Sequence, residues 1–188
     1  HEFRWRISPR YRFNDKISVI YVLSVKNRYN DIGRTIDIDG EVVNYIENGD
    51  PSEIQLIFSK RNTNMITNVL SVNYIANNKI DLIAKLRYHT DQVKNLEFKS
   101  LGNNGYLDDS RYIGDHNLNF SSWTSDIALN WRFAPGSQMS LVWKNSIINK
   151  SNILINHWSD NIEETFNLAQ KNSLSLKVIY YLDYLYFR

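Results

Sequence analysis

An all-β fold, an antiparallel transmembrane β-barrel, is what the sequence predicts, and three features predict it. Apolar and polar side chains alternate in almost every segment, short turns alternate with long polar connections, and the second face of the strands is dense in Arg and Lys. About eight strands, joined as four hairpins, account for the 188 residues, which read as the C-terminal part of a larger barrel.

The first strand sets Phe3, Trp5, Ile7, Pro9, Tyr11 and Phe13 on one face and Arg4, Arg6, Ser8, Arg10 and Arg12 on the other. Asn14-Asp15 is the turn. The next strand repeats the pattern, with Ile17, Val19, Tyr21, Leu23 and Val25 against Lys16, Ser18, Ser24, Lys26 and Arg28; Ile20 and Val22 intrude on the polar face. A strand over 54–61 carries Ile54, Leu56 and Phe58, and after a polar turn "KRNTN" another carries Ile66, Leu70, Val72, Tyr74 and Ala76. Asn77-Asn78 turns the chain into Ile80, Leu82, Ala84, Leu86 and Tyr88, opposed by Asp81, Lys85, Arg87 and His89. Ile127, Leu129, Trp131 and Phe133 precede the turn "APGS", Met139, Leu141 and Trp143 follow it, and a last strand runs from Leu174 through Tyr184 and Tyr186. The remaining stretches, near 29–53, 90–117 and 149–172, read as long loops.

Short turns at one end and long loops at the other are the asymmetry of an outer-membrane barrel, and apolar faces about ten residues long suit a tilted strand crossing a bilayer. In lipid every backbone polar group must be paired within the protein, so a spanning sheet closes on itself, apolar outside and free to be charged inside. Trp5, Tyr11, Tyr88, Trp131, Trp143, Tyr184 and Tyr186, near strand ends, are therefore expected to form an aromatic girdle at the headgroup level. Arg4, Arg6, Arg10 and Arg12 become a lumen-facing basic row. Such a row favours anions or the polar faces of glycans, or pairs with interior carboxylates.

Composition removes several classes. The chain has no Cys, so no disulfide framework is available, and its net charge of +2 makes no demand for nucleic acid. No apolar run reaches the length of a transmembrane helix, and the sequence does not open on the basic, apolar, small-residue series of a signal peptide. With no initiator Met, the sequence reads as a piece whose N-terminal part is missing, while the ending "YLYFR" reads as the aromatic-terminated last strand of a barrel.

Two stretches, "WRFAPGSQMSLVWKNSI" (131–147) and "NSLSLKVIYYLDY" (172–184), together with "SEIQLIFSKRNTNMITNVLSVNYIANNKIDLIAKLRYH" (52–89), carry a family resemblance. From about residue 10 onward the chain resembles the C-terminal barrel of a Bacteroidota outer-membrane family, domain of unknown function 5916; 29–50 and 91–116 match only loosely. The resemblance implies an upstream barrel portion, often with a carbohydrate-binding module of the family 9 type. It supplies no catalytic residues.

Chemistry-bearing motifs are few. "TIDIDGE" (35–41) misses EF-hand spacing, because Ile46 would stand at the bidentate position, so it reads as a surface hairpin. Asp108, Asp109, Asp115 and His116 cluster in sequence and read as a solvated loop. His1, His89, His116 and His157 lack metal-ligand spacing, and Glu163-Glu164 falls in a short helical turn. No nucleophile elbow, P-loop or dinucleotide fingerprint is present. The expectation is a non-enzymatic protein of a Gram-negative outer membrane, without cofactor or metal, whose partners are the lipid bilayer, other outer-membrane proteins, and glycans held by a missing N-terminal module. Its role would be solute passage or surface carbohydrate handling. The alternatives are a structural subunit anchored beside other outer-membrane machinery and a soluble lipocalin-like ligand-binding barrel.

Overall fold

The computed structural model describes residues 1–46, 54–102 and 104–182. Among these residues ten strands form one antiparallel sheet: β1 (Glu2–Ile7), β2 (Arg10–Arg12), β3 (Ile17–Arg34), β4 (Asn44–Ile46), β5 (Ile54–Asn77), β6 (Ile80–Leu101), β7 (Leu107–Asp109), β8 (Leu118–Ala134), β9 (Ser137–Ser151) and β10 (Lys171–Ile179). Among the described residues one helix, α1 (Trp158–Phe166), lies in the β9–β10 connection, and Glu163-Glu164 falls within it.

The order β1-β3-β5-β6-β8-β9-β10 is a meander, each long strand lying beside its sequence neighbour. β2 prolongs β1 along the same edge of β3: Ile7 faces Leu23 and Arg10 faces Ile20, so the register passes unbroken through Ser8-Pro9. Proline, which has no N–H to give a ladder, sits on this edge strand, and its carbonyl accepts from the Tyr21 N–H at 3.1 Å.

Three tight turns share one end of the sheet. At two of them the same device closes the hairpin: Asn14 Oδ1 accepts from the Lys16 and Ile17 N–H groups at 2.8 and 2.9 Å, and Asn77 Oδ1 from those of Lys79 and Ile80 at 2.8 and 3.0 Å. An Asn side chain mimics a backbone turn in this way. The third turn needs Gly136, at φ 71°, where an added Cβ would also stand 2.9 Å from Tyr181 Cβ. Gly136→Ala is expected to cost about 1 kcal/mol or more through the left-handed backbone and this contact, read as a lower urea midpoint.

Three sequence expectations need correction. "KRNTN" is not a turn but the interior of the 24-residue β5, since Lys60 through Asn64 pair with Glu97 through Gln92 on β6. β6 runs on past His89 to Leu101, and β3 to Arg34, so much of the expected loops at 29–53 and 90–117 is strand, with β4 and β7 prolonging the sheet. Polar side chains suggest connection, yet the ladder is made by backbone groups and is indifferent to them. The sheet thus has seven positions rather than eight strands in hairpins, and among the described residues β1/β2 and β10 are two open edges.

The alternation itself holds across the whole sheet. Register brings Val19, Val72, Ala84, Ile127, Trp143 and Leu174 into one line of cross-strand neighbours, and Leu129 beside Leu82 and Leu141. Directly opposed residues share a face, so these rows make one continuous apolar face. Ile20 and Val22 do intrude on the other, opposite Ser71 and Val69.

Little of the apolar face is covered. Among the described residues the buried hydrophobic side chains are Val43, Ile57, Tyr88 and Ile147, while Leu174 and Leu176 stand 68% and 63% exposed. The chain presents 13082 Å² to its surroundings, against roughly 9,400 Å² for a compact monomer of 22.2 kDa.

Candidate functional site

The charged face is where the sheet concentrates chemistry. β1 and β2 bring Arg4, Arg6, Arg10 and Arg12 to it, opposite Lys26, Ser24, Ile20 and Ser18 of β3. Arg4 and Lys26 are directly opposed like charges, a destabilising arrangement unless something lies between them. Glu2 does so: its Oε1 lies 2.9 Å from Arg4 and 3.8 Å from Lys26, and its Oε2 accepts from Arg28 Nε at 3.1 Å. Arg28 also reaches Asp31 at 3.7 Å, which Arg61 approaches at 3.7 Å from β5. Arg6, Arg10 and Arg12 are exposed and stand outside these ion pairs.

Towards the tight turns the same face carries a relay of side chains across three strands. Ser140 Oγ donates to Asn130 Oδ1 and Asn130 Nδ2 donates to Asp81 Oδ2, both at 2.8 Å. With Arg132, Gln138 and Lys177 they line an open groove of about 510 Å³. Further along, Lys144 lies 3.8 Å from Asp126 and Thr67 Oγ1 2.8 Å from His89 Nδ1.

The aromatic residues expected in a girdle take different environments. Trp5, Tyr11, Trp131 and Trp143 stand exposed on the apolar face, Tyr11 edge-on to Phe13 and Trp131 beside Phe133. Trp143 also donates through Nε1 to Asn172 Oδ1 at 3.2 Å. Tyr88 is 4% exposed, with its ring 6.0 Å from that of Trp158 on α1. Tyr184 and Tyr186 lie outside the described residues.

Sequence reasoning missed what lies beyond the apolar band. On the same face, nearer the long loops, register aligns Asn27, Asn64, Gln92 and Asn119 in one row of amides. Gln92 Nε2 donates to Asn119 Oδ1 at 3.2 Å and to the Ile155 carbonyl at 2.8 Å. α1 docks on this polar zone: Asn119 and Asn161 exchange amide hydrogen bonds at 3.4 and 3.2 Å, and Ser121 and Thr165 hydroxyls meet at 2.7 Å. Trp123 and Phe166 rings lie 5.0 Å apart beside them. A signal was present, since period two continues in Asn, Ser and Thr after the apolar residues stop.

The acidic loop residues do not converge. Asp109 meets Lys99 at 2.6 Å, and that ammonium holds its carboxyl below the usual range; Asp115 accepts from the Asn117 N–H. His116 stacks on Tyr112, whose hydroxyl burial pushes upward in pKa and which hydrogen-bonds His116 Nε2; Phe98 and Tyr45 pack edge-on around Tyr112. In 35–41, Asp37 Oδ1 accepts from the Asp39 and Glu41 N–H groups at 3.0 and 2.9 Å, and Ile36 bridges Val42, a small hairpin. Glu163 and Glu164 point to solvent on α1. Among the described residues no three His, Asp or Glu side chains are placed to share a metal ion, and no helix is long and apolar enough to cross a membrane.

The family model described as domain of unknown function 5916 matches residues 1–188. Neither the curated proteins nor the solved structures returned a match.

Proposed function

The chain belongs to the family of domain of unknown function 5916, and on that premise we propose that it is part of an outer-membrane β-barrel of a Gram-negative bacterium. Its work is solute passage or surface carbohydrate handling, with no catalysis of its own. The observation that carries the reading is the uncovered apolar face, continuous over seven strand positions and backed by a charged one.

The dimensions support it. The apolar stretch covers about nine residues on each central strand, as in Ile66–Tyr74 and Ile80–Tyr88. That is roughly 30 Å along a strand and, at a barrel tilt of 35–45°, about 23 Å of height, close to the apolar band of outer-membrane barrels. The lipid bilayer is the partner that covers this face. The two open edges would leave backbone donors and acceptors unpaired in lipid, so further strands of the same protein close the barrel. β5 and β6, at 24 and 22 residues, are long enough to carry their polar halves out of the membrane on the long-loop side. A soluble ligand-binding barrel would turn its apolar side chains inward, where this sheet leaves them bare.

The test is the mobility of the full-length protein, extracted in detergent from its source membranes and run in SDS unheated and boiled. A heat-dependent shift is expected. No shift, with the protein in the soluble fraction, overturns the membrane reading.

A further inference from the structure

Resting on that barrel reading, we propose that the β1/β2 edge builds an anion-binding ladder on the lumen face, with Arg6, Arg10 and Arg12 as its free rungs. The solutes it takes carry carboxylate, sulfate or phosphate groups.

Charge balance around this edge makes the case. Arg4, Arg6, Arg10, Arg12, Lys26 and Arg28 lie together on one face of two neighbouring strands, and Glu2 is the one carboxylate of those strands' paired stretch between them. Glu2 is fully committed to Arg4, Lys26 and Arg28, while Asp31 reaches Arg28 and Arg61 and none of the β1/β2 arginines. The cross-strand neighbours of the free rungs are Ser24, Ile20 and Ser18, which bring no charge to any of them. Among the described residues the rest of the charged face adds no compensating excess of carboxylates: Asp91 lies towards Lys26, Arg28 and Arg61, and Asp126 towards Lys144, while Lys85 and Arg87 add further cations and Arg132 and Lys177 flank the groove in which Asp81 is held by Asn130.

Spacing sets what the ladder can hold. Alternate residues of a strand lie about 7 Å apart, so the rungs are about 7 Å apart except across Ser8, where Arg6 and Arg10 are about 13 Å apart, and Arg4 to Arg12 spans roughly 26 Å along the strand, about 20 Å of height at the barrel tilt. A guanidinium presents a fork that matches planar or tetrahedral oxyanions. Several such forks in series let an anion pass from one to the next without a single deep trap, which is what conduction needs.

The experiment uses the full-length protein in detergent and the trianion 8-hydroxypyrene-1,3,6-trisulfonate, with binding followed by fluorescence anisotropy at low and high NaCl. SDS mobility, heated and unheated, is recorded for each sample. The wild type is expected to shift on heating and to bind in a salt-sensitive way. Arg6→Gln/Arg10→Gln/Arg12→Gln is expected to weaken binding about tenfold or more, and the triple Lys variant, which keeps the charge but not the fork, to weaken it about two- to threefold. Should the triple Gln variant lose its heat shift, the three single Gln variants replace it, each expected to weaken binding about two- to threefold. A heat-modifiable wild type that does not bind the dye, or a folded Gln variant that binds as well as wild type, overturns the ladder and leaves the barrel standing. A wild type without a heat shift overturns the barrel reading, and the ladder falls with it.

Discussion

Leu70→Arg is expected to destabilise the protein in lipid vesicles by about 2–4 kcal/mol, while Ser71→Arg, its immediate neighbour, costs less than about 1 kcal/mol, from the like charge of Lys85 across the ladder. Leu70 lies midway along the apolar stretch of β5, between Tyr21 and Leu86. In the membrane reading an Arg there is placed in hydrocarbon at mid-depth, where its charge finds neither water nor a partner. Ser71 faces the opposite way, opposite Ile20 and Lys85, onto a face already crowded with cations. The period of a strand is two, so adjacent residues test adjacent media. Unfolding by urea, followed by loss of the heat-modifiable band, gives the comparison. Equal effects at 70 and 71 would count against lipid on one side of the sheet.

The second large effect concerns α1. Asn119 and Asn161 are 0% and 3% exposed and satisfy each other's amides, so Asn161→Ala leaves Asn119 Nδ2 without its acceptor, while Oδ1 keeps the bond from Gln92 Nε2. An unpaired buried amide costs about 1–3 kcal/mol. The loss falls on the docking of a nine-residue helix held by few contacts, not on the long ladders of β8 and β9. The expected outcome is local opening: faster amide exchange in 158–166 and protease cleavage between 152 and 170 raised by about tenfold or more, with the urea midpoint of the sheet little changed. Thr165→Val, which removes the bond to Ser121, should act in the same direction. Unchanged exchange in α1 would mean that the Trp123–Phe166 and Tyr88–Trp158 ring contacts hold the helix by themselves.

How far the site could be read beforehand differs from residue to residue. The facing of Arg4, Arg6, Arg10 and Arg12 followed from parity alone, because a strand with Trp5 and Tyr11 on one side must present its arginines on the other. Which of them would be paired did not follow. Glu2 is close in sequence to Arg4, but its bonds to Lys26 and Arg28 depend on the β1–β3 register. The relay Ser140–Asn130–Asp81 likewise joins residues as much as 59 positions apart and exists only once β6, β8 and β9 are aligned. Tyr88 shows the limit of reading position as environment: it stands at the end of an apolar run, yet α1, arriving from 70 residues further along the chain, covers it.

What the sequence determined by itself is the set of properties that act locally. Alternation fixed the two faces, Asn14, Asn77 and Gly136 fixed the turns, and the clustering of all three at one end followed from the meander they impose. Tertiary structure decided where the strands stop. Lys60–Asn64 and 90–101 are polar enough to be loop, and they are strand because partners across the ladder satisfy their backbone groups regardless of side chain. It also decided the amide row, the berth of α1 and the pairing of charges, each of which joins strands that no local pattern connects. The physical reason is the range of the forces: side-chain period and turn chemistry act within a few residues, whereas register, burial and ion pairing exist only between segments that folding has brought side by side.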